Sequence, residues 1–336
     1  MRAIVYDDAG GPEVLRLVEK PVPEPGPGEV LVRVVVSGVN PTDWKSRSGA
    51  TPSARQGDKV PHHDGAGEIV AVGAGVDPGR VGQRVWLWEA AHGRDGTAQE
   101  FTVQPERFVV PLGTASYDLG ASVGVPALTA HRALTVAEGG PTRLAPRSLD
   151  GRTVLVAGGA GAVGHCAIEL ARWAGATVIT TVSSPEKATL AAAAGADHVV
   201  DYRSTDAQAA ILDLAPDGVD QVVEVSPAAN ALLDLAVTTN GGTIAYYATN
   251  GGEEFTLPVR GSMSANLRWQ GLLLYTIPEP AKVAAVEGVA AAIADGALRV
   301  GDEAGLPLHR FPLEQTADSH RAVEAGAIGK VLVDIA

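Results

Sequence analysis

Residues 153–164, TVLVAGGAGAVG, constrain this chain more than any other stretch. Thr153, Val154, Leu155, Val156 and Ala157 are β-branched or apolar without alternation, the pattern of a parallel strand covered on both faces. Glycines follow at Gly159, Gly161 and Gly164 in G-x-G-x-x-G register. Residues 162–174 then put Val163, Ala167, Ile168, Leu170, Ala171 and Ala174 on one helical face. A strand, a Gly-rich turn and a helix in this order make a phosphate-binding unit. Gly159 allows the tight turn, Gly161 lets a pyrophosphate approach the backbone, and Gly164 lets the helix close on the strand, while the helix N-terminus stabilises the anion. Ala160, Ala162 and Val163 complete the loop that faces such a ligand. The alternative, a turn that only tightens packing, does not account for what comes next.

The second strand, 177–182 (TVITTV), ends on Ser183-Ser184, followed by Pro185, Glu186 and Lys187. An NAD site carries an acid at this strand end for the ribose 2′-hydroxyl, whereas an NADP site carries hydroxyls and cations for the 2′-phosphate. Glu186 falls in the first turn of the next helix, where a carboxylate is common without any ligand. Ser183, Ser184 and Lys187 therefore favour NADPH over NADH. A solvated helix lysine is the bland reading of Lys187.

With 336 residues the chain has room for two domains, each with its own core. Its 46% hydrophobic and 19% charged residues are those of a globular protein, and no apolar run reaches the length of a membrane span. Met1 leads directly into an alternating strand at 2–6, without a signal peptide, so the expected location is cytoplasmic. A formal charge of −13 works against nucleic acid as the main partner. Cys166 is the sole cysteine and falls within the nucleotide-domain helix, which excludes an internal disulfide and a Cys-rich zinc lobe and reads as a packed residue.

Residues 1–125 read as β-rich: short runs at 30–36, 68–72, 84–87, 100–103 and 108–111 are separated by Gly and Pro turns, as in a partly closed barrel. Residues 121–137 read as helix, with Pro126 a kink or domain boundary. From 153 strands alternate with helices: TVLVA, TVITTV, HVVDY, VDQVVEV, GTIAYYA and finally WQGLLLY give a six-stranded doubly wound parallel sheet. The segment from 278, with a helix at 281–294 and strands at 306–311 and 330–335, is expected to return to the first domain. The Pro- and Gly-rich stretch 139–151 is the best candidate for a mobile surface loop.

Six motifs in order resemble a family: GVNPTDWKSRSG (38–49), HHDGAGEIVAVG (62–73), GVPALTAHRAL (124–134), the Gly-rich fingerprint, GADHVVDYR (195–203) and GKVLV (329–333). The chain resembles, over nearly its whole length, the zinc-free quinone oxidoreductase branch of the medium-chain dehydrogenase/reductases, which includes zeta-crystallin. The resemblance implies an α/β protein: a GroES-like β-barrel catalytic domain (1–125 and 278–336), a Rossmann domain (126–277) and a cleft between them. It also implies a homodimer built through the edge strand at 268–275, although that strand's apolar residues would equally be shielded within one chain. Zinc-dependent relatives carry Cys where this chain has Asn40 and His-Glu where it has His63-Asp64. One imidazole does not make a catalytic zinc site, which needs three protein ligands, so no metal is expected.

Without a metal, the protein orients NADPH, shapes an apolar cleft and supplies hydrogen bonds where charge develops. A quinone or an α,β-unsaturated carbonyl fits, because both move the incoming electron pair onto an oxygen through conjugation. By resemblance, Asn40 lies at the nicotinamide edge and donates to the acceptor oxygen; a loop asparagine capping its own turn is the alternative. Asp43 is expected to orient Arg47 or Lys45 rather than to transfer a proton. Trp44 either lines a flat pocket or simply packs. His63 is a candidate proton donor, though a lone histidine is more often structural. Relatives often carry a Tyr shortly after Gly49; here Ala50-Thr51-Pro52 stand instead, which leaves solvent or Thr129 as the proton source. On the cofactor side the resemblance points to Thr129 near the ribose, to Tyr202 by the adenosine with Arg203 beside it, and to Lys330 near the cleft. Tyr247 and Tyr275 close the fifth and sixth strands at the ligand-binding edge, and Asn230 reads as a helix cap. Two other readings stay open: an enoyl reductase of a single pathway, and a non-catalytic NADPH-binding protein of the crystallin kind.

Overall fold

The computed structural model describes residues 1–50 and 57–335, so Thr51 and Pro52, in the place of the missing phenol, lie outside the described residues. Two compact units emerge, Met1–Val125 with Pro307–Ala336, and Pro126–Leu306.

The first unit is built on one long strand. A short antiparallel pair, β1 (Arg2–Val5) and β2 (Arg16–Glu19), precedes β3 (Glu29–Val39). Helix α1 (Pro41–Ser48) follows, then β4 (Asp64–Val72), β5 (Arg84–Leu87), β6 (Phe101–Pro105) and β7 (Val109–Pro111). β3 serves several neighbours: its first half pairs with β6, and β4 runs along it with register shifts at Leu31/Val32 and Val34/Val36. Such bulges bend a strand, which is how eleven residues curl into a barrel wall. Val30, Val32, Ile69, Val85, Leu87 and Val109 fill one side of it. Helix α2 (Tyr117–Leu134) runs through Pro126 without ending there.

The second unit carries β8 (Thr153–Ala157), α3 (Ala162–Trp173), β9 (Thr177–Val182), α4 (Pro185–Ala193), β10 (His198–Asp201) and α5 (Ala207–Leu214). It continues with β11 (Val219–Glu224), α6 (Pro227–Val237), β12 (Thr238–Tyr246), α7 (Val259–Ser264), β13 (Arg268–Gly271) and α8 (Glu279–Ala294). The strand order is β10-β9-β8-β11-β12-β13, all parallel, the doubly wound sheet that the alternating pattern predicts.

Three expectations need correction. The sixth strand is four residues, not eight: after Leu272 N–H meets Tyr246 C=O, the chain turns at 274–276, which buries Leu274 and leaves Leu273 exposed. The return to the first unit comes at Pro307, not at 278. Helix α8 instead packs inside the second unit, where Glu287 pairs with Arg143 at 2.9 Å and Gly288 lies against the His131 ring. The stretch 139–151 is anchored: Leu144 and Leu149 are buried, and Leu144 N–H donates to His131 Nε2 at 3.0 Å.

The chain then re-enters the first unit as β14 (Leu308–Pro312), α9 (Thr316–Glu324) and β15 (Lys330–Asp334). β14 and β15 pair in parallel, and β15 pairs antiparallel with the second half of β3, Val331 opposite Val39. A Cβ at Gly288 would stand 2.6 Å from His131 Nε2, the atom that receives Leu144 N–H. Gly288→Ala should therefore cost about 1–3 kcal/mol. An unchanged thermal midpoint would contradict the placement of α8.

Candidate functional site

The dinucleotide fingerprint takes the expected place, with one role reassigned. Gly158 makes the turn, at φ +70, and not Gly159. At Gly159 a Cβ would stand 2.2 Å from Thr180 Oγ1, and at Gly164 one would stand 2.4 Å from Gly158 C=O. Both glycines let α3 close on the sheet. Gly161 differs: the nearest atom to its Cβ position is 3.5 Å away, and it caps α3, so the space beside it stays open at the helix N-terminus. Ala160 is buried, and Ala162 and Val163 form the first turn of α3.

At the end of β9, Ser184 caps α4 by accepting Lys187 N–H, and Lys187 Nζ donates to Ser183 Oγ at 3.0 Å. Cation and hydroxyl are therefore held together at the strand end. Tyr202 follows β10, where Asp201 pairs with Val182, and the residue is 50% exposed. Arg203 N–H is held by Asp201 Oδ1. Tyr247 follows β12 and donates its N–H to Glu224 C=O; burial, and then the Glu224 charge, raise its phenol. Tyr275 sits in the turn beyond β13, because that strand stops early, and is not at a strand end. Asn230 is not a cap: it lies within α6 and donates to the Glu224 carboxylate at 3.1 and 3.2 Å, while Ser226 holds the cap position.

The first unit holds a second, wholly buried constellation. Asn40 stands at the N-cap position of α1, in a capping box with Asp43. Asn40 Nδ2 donates to Asp64 Oδ2 at 2.7 Å, and Asn40 Oδ1 accepts from Lys330 Nζ at 2.7 Å. Lys330 Nζ also reaches Asp64 Oδ2 at 3.2 Å, and Asp64 Oδ1 accepts Val125 N–H at 2.8 Å. Lys330 is 1% exposed and commits its ammonium to these partners, the first of them a residue 290 positions away. Asp43 does not orient Arg47 or Lys45. It accepts Asn40 N–H at 2.7 Å and His63 N–H at 3.2 Å, whereas Arg47 pairs with Glu324 and Lys45 lies over Trp44. Burial, and then the neighbouring Asp64 charge, raise the Asp43 carboxyl to about 8. Burial, then the charges of His92 and Arg94, lower the His63 imidazole to about 3, so it is neutral at ordinary pH and holds no imidazolium proton to give. Thr129 belongs to the second unit and is buried in α2.

Sequence reasoning missed a chain of hydrogen bonds behind this cluster. Thr97 Oγ1 donates to Asp64 C=O at 2.5 Å and meets Ser37 Oγ at 2.7 Å; Ser37 Oγ meets His62 Nδ1 at 2.8 Å, and His62 Nε2 meets His320 Nε2 at 2.9 Å. One arrangement of protons satisfies all four. Thr97 gives its proton to the carbonyl, so Ser37 must donate to Thr97, His62 Nδ1–H to Ser37, and His320 Nε2–H to His62. Burial keeps both imidazoles neutral, which the arrangement requires. The duplicated histidine in HHD was the only available signal, since Ser37, Thr97 and His320 lie in unremarkable contexts.

Among the described residues, no group of three or more His, Cys, Asp or Glu is placed to hold a metal, and no helix is long and apolar enough to cross a membrane. Two family models match, an alcohol dehydrogenase GroES-like domain at residues 26–114 and a zinc-binding dehydrogenase at 162–290. The quinone oxidoreductase of Rattus norvegicus is 31% identical over 99% of this chain and 97% of its own. A solved NAD-dependent alcohol dehydrogenase is 29% identical over the full length of both chains, with a TM-score of 0.87. A mycobacterial protein solved complexed with NADPH is 30% identical over 99% of both, with a TM-score of 0.81. Likeness of this extent, on a GroES-like barrel joined to a doubly wound sheet, makes the chain an oxidoreductase that belongs to the medium-chain dehydrogenase/reductases, in their quinone oxidoreductase-like branch.

Proposed function

We propose that this oxidoreductase uses NADPH, without a metal, to reduce a quinone or an α,β-unsaturated carbonyl. The observation that carries the reading is the Asn40–Asp64–Lys330 cluster, which offers an amide hydrogen where a zinc enzyme would offer a metal. The donor set does not suit zinc. Asn40 Oδ1 already accepts from an ammonium, Asp64 is already answered by that cation and two N–H groups, and His63 is left as a single imidazole. The glycine cradle and the Ser183–Lys187 pair suit a dinucleotide with a 2′-phosphate, and the mycobacterial relative solved with NADPH supports this choice.

When bound, the reduced nicotinamide supplies a hydride, and the electron pair it brings moves through the conjugated acceptor onto a carbonyl oxygen. The protein's part is electrostatic. Asn40 donates to that oxygen as negative charge gathers there, and a solvent proton completes the product. Asp43 holds the loop by accepting two backbone N–H groups, and His63 is structural. Assembly as a homodimer through β13, one of the two edge strands of the parallel sheet, belongs to the same reading.

NADPH oxidation should be observed in steady-state assays with quinones, enones or both; no turnover with either class would defeat the proposal. Lys187→Ala should raise KM for NADPH about tenfold or more, as loss of a hydrogen bond to a charged group does, and leave KM for NADH unchanged. The pH profile follows from Asp43. Below about 8 its carboxyl is protonated and neutral; above, it adds a negative charge beside Asp64 and opposes charge growing on the acceptor. kcat should fall as pH rises through about 8, and Asp43→Asn should flatten that limb. A limb that survives the substitution would assign it to another group.

A further inference from the structure

An amide next to a buried carboxylate is poorly placed to receive negative charge, because the carboxylate repels it. Asn40 is in that position, yet its amide is gripped at both ends. Lys330 Nζ is only a donor and ionised Asp64 only an acceptor, so chemistry alone fixes which end of the amide is oxygen. Lys330 Nζ also contacts Asp64 Oδ2, so the three groups close a ring. Ring closure requires that the hydrogen given to Asp64 be the one cis to Oδ1. The trans Nδ2 hydrogen is left over, and among the described residues none takes it.

The fold builds this contact from a distant part of the chain. Val331 pairs with Val39, which brings Lys330 opposite Asn40. Gly329 lies at φ +108, and a Cβ there would stand 2.2 Å from Pro307 C=O, so the residue before the lysine has to be glycine for β15 to start where it does.

We propose that Lys330 is a positioning residue for the reduction: by donating to Asn40 Oδ1 and neutralising Asp64, it aims the trans Nδ2 hydrogen and makes it a stronger donor to the acceptor oxygen. Donation into the amide oxygen draws electron density from nitrogen and polarises both N–H bonds, whereas the bond to Asp64 pushes density back. Lys330 is the cation that keeps the amide a donor beside an anion. This rests on the reading of Asn40 as the donor to the acceptor oxygen, and the two are separable by experiment.

The two side-chain amide protons of Asn40 are read by NMR in the protein without acceptor, and kcat and KM in steady state. Lys330→Met should move the trans proton upfield and lower kcat by roughly 10²-fold with little change in KM for NADPH, and Lys330→Arg, which keeps charge and donors, should recover most of both. If the unpaired Asp64 unfolds Lys330→Met, the double variant Asp64→Asn/Lys330→Met buries no lone charge, and its kcat should still fall at least about tenfold. A trans proton unmoved in Lys330→Met, or a folded double variant with kcat within about twofold of the parent, overturns the role of Lys330. Asn40→Ala separates the two ideas: loss of kcat there with full activity in the Lys330 variants defeats only the present inference, whereas unchanged kcat in Asn40→Ala defeats the donor reading and this one with it.

Discussion

Asp64 is a carboxylate with no access to water, and much of the first unit is arranged to answer it. An isolated buried charge costs several kcal/mol, so it persists only when paired and hydrogen-bonded. Its partners come from three places: Asn40 just past the end of β3, Lys330 at the start of β15, and the Val125 N–H within α2. One anion thereby ties together segments hundreds of residues apart. The approach depends on residues without side chains. A Cβ at Gly124 would stand 2.2 Å from Asp64 Oδ1, and one at Gly38 would stand 1.9 Å from Ala121 C=O. Only glycine lets α2 and β3 come close enough to deliver their donors.

The same dependence explains why the motifs that carry the family resemblance are the ones they are. HHD supplies Asp64 itself, and GVN, GVP and GK, short and unrelated in sequence, each supply a partner of it or the glycine that admits one. The hydroxyl and imidazole chain from His320 to Thr97 ends on the backbone carbonyl of Asp64, not on its carboxylate. It therefore carries no proton to the site. Its fixed proton order instead holds the turn at His62, where φ is +78, and with it the start of β4.

How much could be read from the chain varied with distance along it. The dinucleotide half was legible because its signals are local: uninterrupted apolar strands, a glycine fingerprint and helix faces within about thirty residues. Element ends were harder. Leu272, Leu273 and Leu274 look like strand, but a hydrophobic run does not say where a chain turns, and Leu274 is buried by the turn. Nothing local assigns helix α8 to its unit, because its partners, Arg143 and the His131 ring, are about 150 residues upstream. The resemblance supplied Asn40 and Lys330, but nothing in the sequence joins them. That pairing is a matter of β-strand register, which becomes visible only when Val331 is seen opposite Val39.

An ammonium answering Asp64 has a chemical consequence for the acceptor. A zinc ion would supply an empty coordination position and pull directly on a carbonyl oxygen. Lys330 supplies charge but no vacant orbital, and its charge is directed inward at Asp64 and Asn40. In the proposed reduction, what reaches the acceptor is one polarised N–H. A hydrogen bond of that kind stabilises an oxyanion less than a metal does, so the acceptor must spread the incoming electron pair itself. Quinones and enones do so through conjugation, and a saturated ketone does not. In the proposed reduction, a preference for conjugated acceptors would follow from the placement of one lysine.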